Sequence, residues 1–357
     1  MLKKDTYCII MAGGIGSRFW PMSTTEKPKQ FLDILGTGTS LMQQTYNRFL
    51  SICPAENIYI ITNDLYRQQV QDQLDVKEFQ VICEPSRRNT APCIAYGSYK
   101  IADINPDANI IVAPSDHLIL KEKAFQETID SAIKKTVEAE CLITLGIKPS
   151  RPDTGYGYIQ FDDDEGKLED NVRKVKTFTE KPDLELAQQF LDSGDFYWNS
   201  GIFVWTVQSI LKAIATHLPE VDSLFKEGEG KYNTPDEAKF IVSVYERCKN
   251  ISIDYGVMEK ADNVFVVLSE FGWSDLGTWG SLYDNLEKTK DNNAVVGDKV
   301  YMFDSKNCMV NVPQDKLIVL QGLEDYIVVE ANNTLLVCKK EDEQKIKQMV
   351  SDIYSKK

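Results

Sequence analysis

An early segment, MAGGIGSRFWPMSTTEKPKQF, carries the residue types that a phosphate site needs. Gly13, Gly14 and Gly16 provide backbone without side chains, so that N–H groups can lie directly against phosphate oxygens. Arg18 ends this glycine-rich loop, and Lys29 follows later in the same segment. Two cations beside such a loop suit the stabilisation of negative charge on a phosphoryl group in transfer. The segment therefore predicts chemistry on a phosphorylated ligand.

Two better-known glycine-rich loops do not fit this segment. A P-loop requires G-x-x-x-x-G-K-[ST], and neither Gly-Lys-Ser nor Gly-Lys-Thr occurs in the chain. A dinucleotide-binding G-x-G-x-x-G requires a third glycine where Arg18 and Phe19 stand. An ordinary glycine-rich turn after a first strand is the alternative interpretation.

A second motif, EPSRRNTAP, lies between a predicted strand and a predicted helix. Ligands of open α/β sheets bind at the carboxyl ends of strands. Asn89 and Thr90 can hydrogen-bond to the edge of a base, and a helix N-terminus after Pro92 favours an anion. The alternative is a polar loop that only caps the helix. The candidate nucleotide-binding residues are Gly13, Gly14, Gly16, Arg18, Pro85, Arg88, Asn89, Thr90 and Ser115.

Two aspartates are candidate ligands of a magnesium ion. Asp116 follows a predicted strand in APSDH, and Asp275 lies far along the chain in WSDLGTW. Mg²⁺ prefers oxygen ligands and leaves its other positions to water or to substrate oxygens. In the alternative interpretation Asp116 forms a turn and Asp275 caps the following helix, and His117 is a structural neighbour rather than a base. The candidate catalytic residues are Arg18, Lys29, Asp116 and Asp275, of which the two aspartates are the metal ligands.

Three further motifs, GYGY, FTEKP and WNSG, supply side chains that suit a sugar phosphate. Glu180 and Asn199 are of the right type to hold sugar hydroxyls, and Lys181 can meet a phosphate. Gly157 would let backbone approach a sugar ring. Each motif alone is also compatible with a turn between strands. The candidate sugar-phosphate-binding residues are therefore Gly157, Glu180, Lys181 and Asn199.

Composition excludes several classes of partner. The formal net charge is −14, which argues against nucleic acid and against an anionic membrane as ligands. The eight cysteines form no CxxC pair, and with two histidines in the chain a zinc site is disfavoured. The sequence contains no apolar run long enough for a membrane span and no signal-peptide pattern, so a cytoplasmic location is predicted.

The elements that must position these motifs follow an α/β pattern. Strands are predicted at Tyr7–Ile10, Ile58–Thr62, Gln80–Cys83, Ile110–Ala113 and Cys141–Leu145. Helices are predicted after a capping box at Ser40, at Ala91–Ile104 and at Ala124–Glu140. This alternation is the spacing of parallel βαβ units.

The later part of the chain is mixed. Strands are predicted at Tyr156–Phe161, Val172–Phe178 and Gly201–Trp205, and helices at Leu184–Leu191 and Ser209–His217. Short strands are then predicted at Val300–Phe303, Cys308–Val312, Lys316–Leu320, Tyr326–Val329 and Thr334–Cys338, before a terminal helix Glu341–Tyr354. Evenly spaced short strands indicate a small β domain. We predict a catalytic domain at 1–287 and a smaller domain at 288–357.

In this order, the motifs resemble those of the sugar-nucleotide pyrophosphorylases, which are nucleotidyltransferases. The glycine-rich loop with Arg18, and PKQF after it, are similar to the whole superfamily. EPSRRNTAP, WNSGIF, SIDYGVMEK and WSDLGTW look specific to the mannose-1-phosphate guanylyltransferase branch. The resemblance implies a Rossmann-like core with a mixed, mainly parallel sheet and a short C-terminal domain of left-handed β-helix character. It also implies GTP and mannose 1-phosphate as substrates, Mg²⁺ as cofactor and a homodimer.

In the reaction that the resemblance implies, a phosphate oxygen of mannose 1-phosphate attacks the α-phosphorus of GTP and expels pyrophosphate. This nucleophile is already ionised at neutral pH, so that no general base is needed. Arg18 would neutralise the leaving pyrophosphate, and Lys29 the charge on the α-phosphoryl group. Two alternatives stay open at this point. One is a nucleotidyltransferase for another base or sugar phosphate, and the other a catalytically silent regulatory protein that binds a sugar nucleotide.

Overall fold

The computed structural model describes residues 3–162 and 171–355. The strands are β1 Thr6–Met11, β2 Ile58–Asn63, β3 Val81–Glu84, β4 Asn109–Pro114, β5 Leu118–Ile119, β6 Leu142–Ile147, β7 Gly157–Phe161, β8 Val172–Glu180, β9 Phe196–Thr206, β10 Val264–Ser269, β11 Trp273–Ser274, β12 Ala294–Val296, β13 Val300–Phe303, β14 Met309–Asn311, β15 Ile318–Gln321, β16 Tyr326–Ala331 and β17 Thr334–Lys339.

The α-helices are α1 Leu41–Phe49, α2 Arg67–Gln73, α3 Thr90–Ile104, α4 Glu122–Glu138, α5 Leu184–Ser193, α6 Val207–His217, α7 Pro219–Lys226, α8 Glu237–Arg247, α9 Trp279–Asn285 and α10 Ile346–Ser355. Shorter helical turns lie at Ser17–Phe19, Lys29–Phe31 and Lys340–Lys345, and Asp254–Met258 forms one turn of π-helix. Within the described ranges, no helix is both long enough and apolar enough to span a membrane.

The described residues divide into two compact units. Unit 1 comprises those of Met1–Gly13, Tyr46–Ser115 and Ile119–Trp273, and unit 2 those of Gly14–Thr45, Asp116–Leu118 and Ser274–Lys357. The glycine-rich loop thus passes from unit 1 to unit 2 after Gly13.

Unit 1 is built on a nine-stranded sheet with the order β3-β2-β1-β4-β9-β6-β10-β8-β7. Strands β3, β2, β1 and β4 are parallel neighbours, as are β6 and β10, whereas β9 and β8 run in the opposite direction. The predicted mixed, mainly parallel sheet is therefore confirmed. Alternate residues such as Ile9 and Val112 face one continuous core with α3, α6, α7 and α8.

Unit 2 contains the C-terminal strands. Parallel strands β12, β14 and β16 pair in sequence, β17 adds an antiparallel edge, and β13 pairs with β15 in a separate parallel sheet. One buried cluster joins these strands and the terminal helix to the segment after the glycine loop; it includes Phe19, Trp279, Met309, Ile327 and Ile346. The strands thus share a core with the turn that carries Arg18.

The sequence predicted most elements and misplaced several. All the strands and helices predicted before residue 150 are present within two residues of their expected ends. The capping box is confirmed, because the Ser40 Oγ accepts from the Gln43 N–H at 3.2 Å and the Ser40 N–H donates to the Gln43 Oε1 at 2.9 Å. The β9 strand begins five residues earlier than predicted, because WNSG continues the strand and does not turn. The terminal helix begins later, after the tighter turn Lys340–Lys345.

Candidate active site

The glycine-rich loop of unit 2 is held by the segment that contains Lys29. The Gln30 side chain donates to the Gly14 carbonyl at 3.0 Å, and the Lys29 N–H donates to the Ile15 carbonyl at 3.1 Å. Gly16 has φ of +69°, and a Cβ added there would lie 2.4 Å from the Lys29 Cβ. Only glycine meets both conditions without strain. The glycine-rich loop therefore lies directly against the segment that contains Lys29.

The Lys29 ammonium is buried, with three acceptors around it. It pairs with the Asp116 carboxylate at 2.9 Å and donates to the main-chain carbonyls of Asp275 at 2.7 Å and Leu276 at 3.0 Å. An ammonium has three hydrogens, so each has a protein acceptor. A contact of Lys29 with a reacting phosphoryl group would require one of these partners to be exchanged. Lys29 thus contacts the carboxylate of one candidate metal ligand, Asp116, and the main chain of the other, Asp275.

The two predicted metal ligands, Asp116 and Asp275, carry the carboxylate oxygens that Mg²⁺ prefers. Burial alone raises the pKa of the Asp116 carboxyl, but the Lys29 ammonium and then His117 outweigh it, so that the pKa lies below its usual value. Asp116 is therefore ionised at neutral pH. Asp275 does not cap α9, because the Thr278 side chain accepts the N–H of Ser281 and is the N-cap. In 3–162 and 171–355, no group of three or more His, Cys, Asp or Glu side chains gathers as a metal site. Both carboxylates nevertheless belong to residues that contact the same ammonium.

Arg18 lies on the turn Ser17–Phe19, and its side chain is exposed. The adjacent Phe19 is fully buried and packs against Trp279, with ring centroids 4.8 Å apart. The packing of Phe19 therefore fixes the turn, while the Arg18 guanidinium stays exposed and available to a ligand. This placement agrees with a role in binding an anion.

In unit 1, the EPSRRNTAP motif forms the loop between β3 and α3. The helix begins at Thr90, two residues before Pro92, and Asn89 is its N-cap with its side chain accepting the Thr90 N–H at 2.9 Å. The Arg88 guanidinium donates to the Tyr245 carbonyl at 3.0 Å, whereas Pro85 is exposed. The capping role is thus real for Asn89. Its carboxamide N–H₂ group and the exposed loop backbone remain able to contact a base.

Gly13 and Ser115 lie at the carboxyl ends of two neighbouring strands of the same unit. Gly13 follows β1, and Ser115 follows β4 and donates its N–H to the Met11 carbonyl at 3.0 Å. A Cβ added to Gly13 would lie 3.9 Å from the Glu84 Oε2. The sequence analysis placed Gly13 but not Glu84 in the nucleotide set. Glu84 is therefore a candidate site residue that the sequence analysis missed.

Glu84 ends β3 as a buried carboxyl. Its Oε1 accepts the Tyr245 hydroxyl at 2.8 Å, and the residue is 7% exposed. Burial raises the pKa of Glu84 to about 7, although the Tyr245 hydrogen bond and the Arg87 charge oppose this shift. A carboxyl whose pKa is shifted close to 7, beside a loop that is a candidate for ligand binding, is typical of functional sites. The signal in the sequence was an acidic residue at the end of an apolar strand.

The raised pKa of Glu84 has a measurable effect on stability. The folded state binds this proton more tightly than the unfolded chain, so ionisation destabilises the fold increasingly as pH rises from about 4.5 to about 7. Glu84→Gln keeps the acceptor for Tyr245 and removes the charge. We expect the variant to gain a few degrees in Tm over the wild type at pH 8 and to show no gain at pH 4.5. The exposed neighbour Glu78, changed to Gln, should show no such difference, and equal Tm gains at both pH values would contradict the prediction.

The four predicted sugar-phosphate residues lie together in unit 1. Gly157 on β7 pairs with Glu180 on β8, and a Cβ at Gly157 would lie 2.4 Å from the Glu180 Oε2 and 3.3 Å from the Asn199 Cβ. The Lys181 ammonium contacts the Glu180 Oε1 at 2.6 Å and is largely exposed. Glycine at 157 therefore leaves the space that the Glu180 and Asn199 side chains occupy beside β7. The structure brings together residues that are 42 positions apart in the chain.

The family model described as "Nucleotidyl transferase" matches residues 7–292, and one described as "MannoseP isomerase/GMP-like beta-helix domain" matches residues 298–353. The mannose-1-phosphate guanylyltransferase of Escherichia coli is 34% identical over 356 residues, which is 97% of this chain and 75% of that protein. The chain belongs to the mannose-1-phosphate guanylyltransferase family of nucleotidyl transferases. The expected family resemblance is confirmed.

Two further relatives agree with this family. The alginate biosynthesis protein AlgA of Pseudomonas aeruginosa is 36% identical over 349 residues, which is 97% of this chain and 71% of that protein. A crystal structure described as mannose-1-phosphate geranyltransferase from Thermus thermophilus has a TM-score of 0.88 and 28% identity, with 98% of this chain and 99% of that chain covered. The fold is thus shared over almost the whole chain.

The nucleotidyl transferase match spans every candidate residue, from Gly13 to Asp275. The predicted C-terminal β domain is confirmed as the part that corresponds to the β-helix domain of the family. Three residues that were not predicted from the sequence contact the candidate residues or lie beside them. Glu84 lies beside Gly13, and Thr144 and Asp254 lie beside Asn199.

Proposed function

We propose that this protein transfers GMP from GTP to α-D-mannose 1-phosphate and forms GDP-mannose and pyrophosphate. The observation that carries the proposal is the cluster of Gly157, Glu180, Lys181 and Asn199, which offers a carboxylate, an amide and an exposed ammonium to one ligand. Carboxylate and amide suit sugar hydroxyls, and the ammonium suits the phosphate. The relatives named for mannose 1-phosphate support the choice of sugar.

In the proposed reaction a phosphate oxygen of the sugar phosphate attacks the α-phosphorus of GTP. The new P–O bond forms as the bond to the β-phosphate oxygen breaks, and pyrophosphate leaves with its electron pair. Alignment and charge stabilisation then carry the catalysis. We assign Arg18 to the pyrophosphate charge, Lys29 to the α-phosphoryl charge and Lys181 to the sugar phosphate. The loop residues Gly14 and Gly16 offer backbone to the phosphates.

We also propose a magnesium ion held by Asp116 and Asp275. When bound, it would neutralise phosphate charge and polarise the reacting phosphoryl group. Support comes from the ionised Asp116 carboxylate and from its approach, through Lys29, to the Asp275 main chain. The buried ammonium holds the Asp116 carboxylate directly and Asp275 through its main-chain carbonyl, and the Gly277 N–H donates to the Asp275 carboxylate at 2.9 Å.

For base selection we propose the loop that follows β3. Guanine carries an N1–H and an exocyclic amine side by side, which a carboxylate accepts well. Glu84, the last residue of β3, is a buried carboxyl beside Gly13, and the Tyr245 hydroxyl donates to one of its oxygens. Pro85, Arg88, Asn89, Thr90 and Ser115 complete the proposed nucleotide-binding residues.

We propose domains at 1–287 and 288–357, a cytoplasmic location and a homodimer as the working state. The two family matches, at residues 7–292 and 298–353, support the boundary. All eight cysteines are free thiols, which suits a reducing compartment. Tyr301, Phe303 and Val319 expose apolar side chains on β13 and β15, as expected of a surface that a second copy covers. Light scattering of the purified protein tests the dimer.

The deciding experiment measures pyrophosphate release with and without Mg²⁺. Each of GTP, ATP, UTP and dTTP is paired with mannose 1-phosphate and with glucose 1-phosphate. We expect turnover with GTP and mannose 1-phosphate, and none without a divalent cation. Turnover with a different pair would overturn the proposed substrates. Silence with every pair, from a folded protein that binds GDP-mannose, would favour a regulatory protein instead.

A further inference from the structure

A short segment after α8 is tied to the loop that follows β3. The Ile251 N–H donates to the Arg88 carbonyl at 3.3 Å, and its carbonyl accepts the Ala91 N–H at 3.1 Å. The Ile253 N–H donates to the Thr90 hydroxyl oxygen at 2.9 Å. Three hydrogen bonds therefore fix this segment to the proposed nucleotide loop. The next residue of the segment is Asp254.

Asp254 reaches the other group of unit 1, the proposed sugar-phosphate residues. Its Oδ1 accepts from the Asn199 Nδ2 at 2.8 Å. It also opens the turn of π-helix, a rare geometry that is frequent at functional sites. Gly256 lies in the same turn, where a Cβ would lie 2.8 Å from a Leu218 side-chain atom. The Leu218 side chain thus packs closely against the π-helical turn, and this packing holds Asp254 in place.

The contacts of Asn199 fix the orientation of its amide. Its Oδ1 accepts the Thr144 hydroxyl at 2.8 Å and the Gly201 N–H at 3.2 Å. One hydrogen of its Nδ2 is taken by Asp254. A side-chain amide has two donor hydrogens, so that the second N–H remains for a ligand oxygen. Without Asp254, the donor side of this buried amide would lose the acceptor that sets its direction.

The charges that face Asp254 come from the end of β8. Burial and, after it, the Glu180 charge raise the pKa of Asp254 to about 6, although its own backbone, Asn199 and Lys181 oppose this shift. The carboxyl is therefore mostly ionised at pH 7.5. A hydrogen bond from an amide to an ionised acceptor is stronger than one to a neutral acceptor.

We propose that Asp254 is a positioning residue of the sugar-phosphate subsite, which orients the Asn199 amide so that its second N–H meets a sugar oxygen. The inference rests on the proposed function. Asp254 acts through Asn199 and does not itself touch the substrate. It also connects the subsite to the nucleotide loop through the hydrogen-bonded segment before it.

The test compares Asp254→Ala with Asp254→Asn. We expect Asp254→Ala to raise KM for mannose 1-phosphate by about tenfold or more, because the Asn199 amide loses the acceptor that directs its second N–H to the sugar. KM for GTP should stay unchanged. Asp254→Asn keeps an acceptor oxygen and should restore most of the affinity. Calorimetric titration with mannose 1-phosphate measures the same effect without turnover. The matched control is Asp262→Asn, an exposed aspartate shortly after the π-helical turn, which should bind like the wild type.

A double-mutant cycle separates positioning from simple stabilisation. In the Asn199→Ala background, Asp254→Ala should add nothing to KM for the sugar phosphate, since both act through one amide. Multiplying effects, or a change confined to Tm, would overturn the inference. If the wild type uses a different sugar phosphate, the proposed function fails, but the same cycle with that sugar still decides the role of Asp254.

Discussion

We expect Lys29→Met to lower kcat by about 10²–10³-fold. This is the loss typical of removing one hydrogen-bond donor to the charge of a transition state. Methionine keeps most of the buried stem and removes the ammonium. The change also releases Asp116 and the carbonyls of Asp275 and Leu276, which the ammonium holds at 2.7–3.0 Å. Both effects act on kcat for pyrophosphate release at saturating substrates, which is the quantity to measure.

Lys27→Met is the matched control for that experiment. Lys27 lies two residues away on the surface, and its replacement makes the same change in charge and size. It should leave kcat within about twofold of the wild type, as surface substitutions generally do. Lys29→Met should also lower Tm, because Asp116 loses its cation. A wild-type kcat in Lys29→Met would remove Lys29 from the proposed mechanism.

Local patterns predicted the parallel strands of unit 1 because these strands are buried on both faces. The runs at β1, β2 and β4 are almost continuously apolar, and the structure buries nearly all of their residues. The same signal was present at Val264–Ser269, where five apolar residues in a row form β10, and the sequence analysis missed it. The helices α2, α7 and α8 were also missed. Helix α2 buries only Val70, whereas α7 buries Val221 and Phe225, and α8 buries Phe240 and Val244, at helical spacing. The signal was therefore present for α7 and α8 and was overlooked.

The sequence allowed many site residues to be predicted from their chemical type. It gave much less information on which of these residues contact each other. Glu180 and Asn199 were chosen for their chemistry, but their approach depends on the register that places Gly157 opposite Glu180. Glu84 and Asp254 lie in the quoted motifs EPSRRNTAP and SIDYGVMEK but were not chosen as site residues. Their importance lies in partners far along the chain, Tyr245 and Asn199. No periodicity encodes such pairs. Lys29 was predicted to stabilise the charge on the α-phosphoryl group, and the three acceptors that surround it in the fold were not predicted.

Gly16→Ala is expected to lower both stability and activity. The residue has φ of +69°, a conformation that costs a non-glycine residue about 1–2 kcal/mol. The added Cβ would also lie 2.4 Å from the Lys29 Cβ, the base of a side chain that cannot swing away. The lysine must then shift, and its contacts with Asp116 and the 275–276 carbonyls are lost or weakened. We expect a Tm lower by several degrees and kcat lower by about 10²-fold, the loss typical of one misplaced charge contact.

Gly14→Ala provides the comparison that separates protein packing from ligand contact. A Cβ at Gly14 meets no atom within 4 Å, and its φ lies outside the left-handed region. The fold should therefore tolerate alanine, and Tm should stay within about 1 °C of the wild type, as for other substitutions without a structural mechanism. If phosphates lie against this backbone, the new methyl group meets them, and KM for GTP should rise by about tenfold, the effect of losing one charge-assisted contact. An unchanged KM for GTP would mean that the phosphates do not lie at Gly14, and the role of the loop would then be limited to holding Lys29.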